Sequence, residues 1–214
     1  MRTRIKICGI TRPDDALYAA TLGVDAIGLV FVKKSVRYLT LEQAETLLNV
    51  LPPFVSTVGL FMDNTLAEIE EIVSNLSLSS LQFHGNEPVA LCEAFGLPYI
   101  KAVPMGGRIE PHEYVQPYLP GASGFLLDSH VSGGSGGSGD SFDWHRVPQN
   151  LQKPIILAGG LTVDNVGRAI TITQPYAVDV SSGVEASKGV KDPAKIKKFI
   201  KQVNLIDKVK TNGS

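Results

Sequence analysis

Short runs rich in Val, Ile, Leu and Phe alternate along the chain with longer stretches in which apolar residues recur every three or four positions. The first pattern predicts strands and the second amphipathic helices, because side chains alternate across a strand and return to one helix face every ~3.6 residues. The strand-like runs are Ile5 to Cys8, Ala26 to Phe31, Val55 to Phe61, Ser80 to Phe83, Tyr99 to Val103, Gly124 to Leu127, Pro154 to Ala158 and Ala177 to Val180, eight in all. Between them the periodicity predicts helices over Ala16 to Leu22, Ala44 to Leu51, Leu66 to Val73, Pro88 to Phe95, Thr162 to Ile170 and Pro193 to Val203. Thr11-Arg12-Pro13-Asp14, Thr40-Leu41-Glu42 and Asn64-Thr65 stand where the first three begin, offering capping oxygens or early acidic groups to free backbone N–H groups. The segments after the fifth and sixth strands carry Pro, Gly or Ser and predict partly irregular crossovers.

Strand followed by helix, repeated eight times, is the pattern of a parallel sheet covered by its own crossovers. The expected fold is α/β, a single closed (β/α)8 TIM barrel domain spanning residues 1–214. A length of 214 residues lies near the lower end for that fold, so its loops must be short. An open doubly wound sheet is the competing arrangement; it normally uses fewer strands and reverses their order once.

Composition narrows the partners more than the fold. With 43% hydrophobic and 19% charged residues the chain can bury a sizeable core. Lys and Arg number 20 against 21 Asp and Glu, with no basic block, so nucleic acid is not an expected partner. No apolar run approaches the ~18 residues of a membrane span, and Met1-Arg2-Thr3-Arg4 leads into a strand-like run, not a signal-peptide core; no membrane association and a cytoplasmic location are expected. No coiled-coil stripe or interface motif stands out, so a monomer is the default. Two cysteines, Cys8 and Cys92, make neither a disulfide framework nor a zinc site.

In such a barrel the chemistry sits on loops after the C-terminal strand ends. The first strand ends in Cys8, the second leads to Lys33-Lys34-Ser35-Val36-Arg37, the fourth to His84, the sixth to Asp128, the seventh to Gly159-Gly160 and the eighth to Ser181-Ser182-Gly183. Glycine and small hydroxyl residues placed immediately before a helix let N–H groups approach an anion, and barrels commonly hold phosphate after strands seven and eight. Taken out of that context, the same glycines read as tight turns. Cys8 is either a small buried apolar residue or a general base, its thiol starting from a pKa of about 8.5 and needing N–H groups or cations to stabilise the thiolate. Asp128 either caps its loop or, with a lid closed over it, has its pKa raised and holds a proton for donation. Arg37 is a fixed cation for a carboxylate or a solvated loop residue. His84 packs against backbone or touches substrate. Cys92, on a helix, is read as core without function. The run Ser132-Gly133-Gly134-Ser135-Gly136-Gly137-Ser138-Gly139 has the composition of a flexible linker, yet stands where a barrel places a catalytic lid. The loop over residues 132–140 is expected to be unordered without ligand.

Five motifs follow one another over essentially the whole chain: Lys6-Ile7-Cys8-Gly9-Ile10-Thr11; Gln82-Phe83-His84-Gly85; Leu126-Leu127-Asp128 with the glycine-rich run and Phe142-Asp143-Trp144; Ala158-Gly159-Gly160-Leu161; and Asp179-Val180-Ser181-Ser182-Gly183-Val184-Glu185. Together they resemble the phosphoribosylanthranilate isomerase family of tryptophan biosynthesis. The resemblance makes the glycine-rich run a native loop and implies an intramolecular oxidoreductase of the aldose–ketose isomerase type. Its reaction would be the Amadori rearrangement of N-(5′-phosphoribosyl)anthranilate to 1-(2-carboxyphenylamino)-1-deoxyribulose 5-phosphate, with no metal or organic cofactor. It further implies that Asp128 protonates the furanose oxygen, Cys8 removes the C2′ proton, Arg37 pairs with the anthranilate carboxylate, Asp179 meets a ribose hydroxyl, and Gly159, Gly160, Ser181, Ser182 and Gly183 hold the phosphate. Two departures stand out. Val36 replaces the usual proline before the arginine, loosening that loop, and Ser135 and Ser138 replace threonines in the lid. A related isomerase of the histidine pathway would favour an Asp base and a longer chain with half-barrel repetition, neither evident here. A non-catalytic phosphate-binding barrel would lack the acid or the base, and both are present.

Overall fold

The computed structural model describes residues 2–131 and 141–212. Eight parallel strands close in sequence order. They are β1 (Arg4–Cys8), β2 (Ala26–Val30), β3 (Ser56–Phe61), β4 (Ser80–Phe83), β5 (Tyr99–Pro104), β6 (Gly124–Asp128), β7 (Ile155–Leu157) and β8 (Ala177–Val180). Closure comes from β1 pairing with β8, Arg4 lying opposite Ala177 and Ile7 opposite Val180. That ladder removes the free edges an open doubly wound sheet would keep. The helices are α1 (Pro13–Thr21), α2 (Leu41–Asn49), α3 (Leu66–Asn75), α4 (Val89–Glu93), α5 (Pro111–Val115), α6 (Val166–Thr173) and α7 (Pro193–Asn212).

Strand alternation creates two interiors. Ile5, Ile7, Ile27, Leu29, Phe61, Phe83, Phe125 and Val178 point outward and join helix residues such as Leu47, Ile69, Val166 and Phe199 in the main core. The inward set is smaller: Ala102, Leu126, Ile156, Ala158 and Ala177 pack inside the barrel. The same period of two puts Lys6 with Cys8, Gln82 with His84, Leu126 with Asp128 and Ala177 with Asp179 on the inner face, the second of each pair nearer the C-terminal mouth.

Helix starts follow the capping chemistry. Thr40 and Gln43 form a reciprocal capping box on α2, and Thr65 and Glu68 another on α3. Arg12 precedes α1 without a side-chain cap; Pro13 and the acidic pair Asp14 and Asp15 occupy its first turn instead. The helix expected from Thr162 begins later, at Val166. Asn165 ties the intervening turn by accepting from Thr162 N at 2.8 Å and donating to Gly160 O at 2.8 Å.

The crossovers after β5 and β6 are the irregular ones, as expected. The first holds only the five-residue α5 and a 3₁₀ turn at Gln116–Tyr118. The second, among the described residues, holds a 3₁₀ turn at Trp144–Arg146. Arg146 pins it back by donating to Met105 O at 2.9 Å and Gly107 O at 3.0 Å. The glycine-rich run with Ser135 and Ser138, read as a lid and expected to be unordered without ligand, lies outside the described residues. A small hairpin of β9 (Glu185–Ser187) and β10 (Val190–Lys191) follows β8; its strands are too short to show a period in the sequence. Cys92 is buried in the helical layer, as read. Among the described residues no helix is long and apolar enough to cross a membrane.

Candidate active site

A cavity of about 820 Å³ opens at the C-terminal mouth, a size suited to a small molecule. Its wall includes Cys8, Arg37, His84, Asp128, Gly159, Gly160, Asp179, Ser181 and Ser182. Gly183 alone among the expected site residues is off the wall. A Cβ there would overlap Leu161 O, so Gly183 lets the loops after β7 and β8 pack together.

Cys8 sits beside Lys6, its neighbour two positions earlier on the same strand face. Both lie over Gly28 of β2, where a Cβ would come 2.7 Å from Cys8 Sγ and 3.1 Å from Lys6 Nζ. Glycine at that position is therefore what admits the pair. Lys6 Nζ donates to Asp179 Oδ2 at 2.9 Å, with both groups buried. Burial pushes the Cys8 thiol up, and the pull of Lys6 in the other direction does not cancel it. Burial would lower the Lys6 ammonium, but Asp179 and the Cys8 sulfur outweigh it and hold it above its usual value. The cation the thiol needs is thus present, though the thiol is not thereby brought to neutrality. Asp179 Oδ1 is buried without a hydrogen-bond partner, leaving an acceptor for a ligand hydroxyl.

Arg37 is neither solvated nor free. Its guanidinium grips Glu185 through Nε to Oε1 at 2.7 Å and Nη2 to Oε2 at 2.8 Å. Lys191 Nζ, itself buried, reaches the same Oε1 at 2.9 Å. Burial would raise the Glu185 carboxyl, but Arg37 and Lys191 hold it below its usual value. The arginine loop is held without a proline: Ser35 Oγ accepts from Arg37 N at 3.1 Å and Leu39 N reaches Val30 O at 3.0 Å. Gly9, at φ +68°, lets the Arg37 stem lie across the β1 loop, where a Cβ would overlap Arg37 Cδ.

Asp128 lies between two imidazoles. His84 Nε2 is 3.3 Å and His130 Nδ1 3.9 Å from Asp128 Oδ2. The two rings are 4.4 Å apart between centroids. The other His84 nitrogen, Nδ1, faces Gln82 Nε2 at 3.1 Å. The polar edge of His84 is thus directed at the acid, not at backbone. Burial pushes Asp128 up, but His84 and His130 pull harder and its pKa is lowered; the expectation of a raised pKa was tied to closure of the 132–140 loop, which lies outside the described residues. His130 is pushed down to about 4, by burial first and then by His84.

The anion loops also differ from expectation, since neither runs directly into an α-helix. Gly160 is separated from α6 by the Asn165-tied turn, and Ser181 leads into a 3₁₀ turn, Ser182–Val184, and then the hairpin. Gly159, at φ +78°, passes so close to Ser129 that a Cβ would overlap its backbone N, which couples the β7 loop to the residue after Asp128. Sequence reading missed the roles of Lys6, Gly28, Gln82, His130, Glu185 and Lys191. Lys6, Gln82 and His130 carried a usable signal, each standing two positions from a candidate residue; the other three are set by the packing of the fold.

A closed barrel with a thiol, a carboxyl and paired cations around one small-molecule cavity at its C-terminal mouth is a (β/α)8 barrel with its polar groups where such barrels keep their sites. The chain belongs to the N-(5′-phosphoribosyl)anthranilate (PRA) isomerase family, whose model matches residues 5–202. The N-(5′-phosphoribosyl)anthranilate isomerases of Stutzerimonas stutzeri and Azotobacter vinelandii are 53% and 55% identical to it, covering 95% and 94% of this chain and 98% and 97% of their own. The phosphoribosyl anthranilate isomerase structure from Thermotoga maritima superposes with a TM-score of 0.86 at 40% identity, covering 94% of this chain and 98% of that one. A further structure is of phosphoribosyl anthranilate isomerase in complex with reduced 1-(o-carboxyphenylamino)-1-deoxyribulose 5-phosphate. It matches at 38% identity and a TM-score of 0.80, with 94% of this chain and 98% of that one covered.

Proposed function

We propose that this chain performs the Amadori rearrangement of N-(5′-phosphoribosyl)anthranilate in tryptophan biosynthesis, with Asp128 as general acid and Cys8 as general base. The observation that carries the assignment is that one cavity holds both groups, on β6 and β1, between an arginine and two glycine and serine loops. Asp128 protonates the ring oxygen and the furanose opens to a Schiff base. The cationic imine acidifies the C2′ proton, Cys8 removes it, and the enolamine tautomerises to the ketone. In the free site Asp128 is held low by its imidazoles; the carboxylate and phosphate of the substrate bring like charge into the cavity and raise it toward a proton-holding state. Lys6 offsets the burial of the thiolate. Asp179 Oδ1 takes a ribose hydroxyl, and the loops around Gly159, Gly160, Ser181 and Ser182 take the phosphate, with Gly183 holding them together. Arg37 receives the anthranilate carboxylate while Glu185 keeps its fork aimed. His84 acts on Asp128. Every group named comes from one chain, so a monomer suffices, and the whole chain serves as one barrel unit. A multiply charged substrate does not cross a bilayer unaided and must be consumed where it is made, which supports a cytoplasmic location alongside the other steps of the biosynthesis.

The test generates the substrate in situ from anthranilate, phosphoribosyl pyrophosphate and the transferase that joins them, and follows anthranilate-type fluorescence. Fast, protein-dependent loss is expected. Loss at the spontaneous hydrolysis rate alone, with folded protein, rejects the reading.

A further inference from the structure

We propose that His84, Asp128 and His130 form a binding site for a borderline-soft divalent transition cation of the zinc class, and that occupation of the site blocks the isomerisation. The second half rests on the acid role proposed for Asp128; the binding site itself does not.

The three residues offer one ligand atom each, all within 4.8 Å of one another. Zinc binds nitrogen and oxygen at about 2.0 to 2.2 Å, so tetrahedral ligands stand about 3.4 Å apart. His84 Nε2 and Asp128 Oδ2 are already 3.3 Å apart, whereas His130 Nδ1, 3.9 Å from that oxygen and within 4.8 Å of the His84 nitrogen, must close by about half an ångström on the carboxylate and by up to about 1.4 Å on the other imidazole, a swing of one ring. Two imidazoles and one carboxylate are a donor set that suits such metals, and they leave a coordination position facing the cavity.

The independent sign of a ligand is the state of the nitrogens. His84 Nε2 and His130 Nδ1 are buried and neither has a hydrogen-bond partner; both residues are only 7% exposed. Buried polar atoms are rarely left so, because each costs the desolvation it cannot recover. Here two converge on one carboxylate oxygen, and a cation placed among them satisfies all three. The surroundings support it. Gln82 Oε1 is also unpartnered, while its amide nitrogen faces His84 Nδ1. A half-turn of that amide lets Oε1 accept from Nδ1–H and frees the Nε2 lone pair for the metal, the outer-sphere bond that ligating histidines usually make. His130 is anchored through its carbonyl, which accepts from Gly106 N at 2.9 Å. The set carries one negative charge with neutral imidazoles, and the buried cation nearby, Lys101, is already paired with Glu87 at 3.1 Å.

A bound cation takes up the lone pairs of Asp128 and removes the proton it would donate, so turnover stops while substrate can still approach. The experiment titrates chelator-stripped protein with Co²⁺ and reads visible absorption, then displaces it with Zn²⁺. One cobalt per chain with intense tetrahedral-type bands is expected. His130→Ala and His130→Asn, each checked for folding by circular dichroism, should both weaken binding by more than about tenfold, a loss that even an outer-sphere partner can cause. In parallel, zinc should inhibit the parent chain and inhibit His130→Ala correspondingly less, each judged against its own zinc-free rate. Absence of cobalt bands at about 1 mM, or equal affinity in both His130 variants, overturns the site; equal affinity would place the cation elsewhere, for instance at His112 or His145. Cobalt binding in a chain without isomerase activity would sustain the site and reject the function. Activity without cobalt binding would do the reverse.

Discussion

On the β1, β2 and β8 side of the mouth three cations, Lys6, Arg37 and Lys191, face two carboxylates, Asp179 and Glu185, and each cation ends on a carboxylate oxygen at 2.7 to 2.9 Å. On the β4 and β6 side one carboxylate, Asp128, meets two imidazoles at 3.3 and 3.9 Å, and no hydrogen bond is completed at either imidazole nitrogen. Among these five groups three positive charges stand against two negative ones, fixed in short pairs around a buried thiol. The second side is held loosely. A base that must become an anion in a buried place needs permanent compensation. An acid that must gain and lose a proton is better served by neighbours that do not lock it into an ion pair.

The largest effects should come from removing the reacting groups on either side. Cys8→Ala and Asp128→Asn are each expected to lower kcat/KM by about a thousandfold or more, with unchanged circular dichroism. A variant that keeps a tenth of the parent rate would dismiss that residue from the chemistry.

Next in size is the loss of compensation on the base side. Lys6→Met takes away the cation that lowers the thiol, so the thiol pKa rises further and less thiolate exists at any given pH. The rising limb of kcat/KM should move up by about one pH unit, with a loss of roughly tenfold at neutrality. An unmoved limb would reduce Lys6 to an anchor for Asp179.

Arg37→Ala should act on binding more than on turnover. Losing a charged, two-pronged contact of about 1.5 to 3 kcal/mol is expected to raise KM by tenfold or more while kcat stays within about threefold. A fall in kcat with KM unchanged would contradict the carboxylate role.

The smallest change lies outside both sides and sharpens the comparison by leaving it intact. Thr65→Ala removes the capping box of α3 and should cost about 1 kcal/mol in denaturant unfolding, without altering kcat or KM.

Much of the barrel was legible because its signals are local. Eight apolar runs, Thr40 and Thr65 at helix starts, and the Pro- and Gly-bearing crossovers after β5 and β6 each declare themselves within a dozen residues. Helix ends were less legible. The start at Val166 depends on Asn165 satisfying Thr162 N and Gly160 O, a choice between turn and helix that periodicity does not register. In the site, Cys8, His84 and Asp128 could be placed at the mouth because they stand at strand ends, whereas Asp179 entered only through the family resemblance. The charge state of Asp128 could not be read in this way. It depends on His130 and His84 arriving from different strands, and their pull exceeds that of burial.

By itself, then, the sequence determined the order of elements, the strand faces and the identity of the groups at the mouth, because those follow from periods of two and about 3.6 along the backbone. Only the tertiary structure decided the partners: Lys6 with Asp179 across the barrel closure, Arg37 and Lys191 on Glu185, and two imidazoles around Asp128. Lys6 and Asp179 are 173 positions apart, and Arg37 and Glu185 are 148 apart. Coulomb and hydrogen-bond energies act over a few ångströms of space, a distance that sequence separation does not encode.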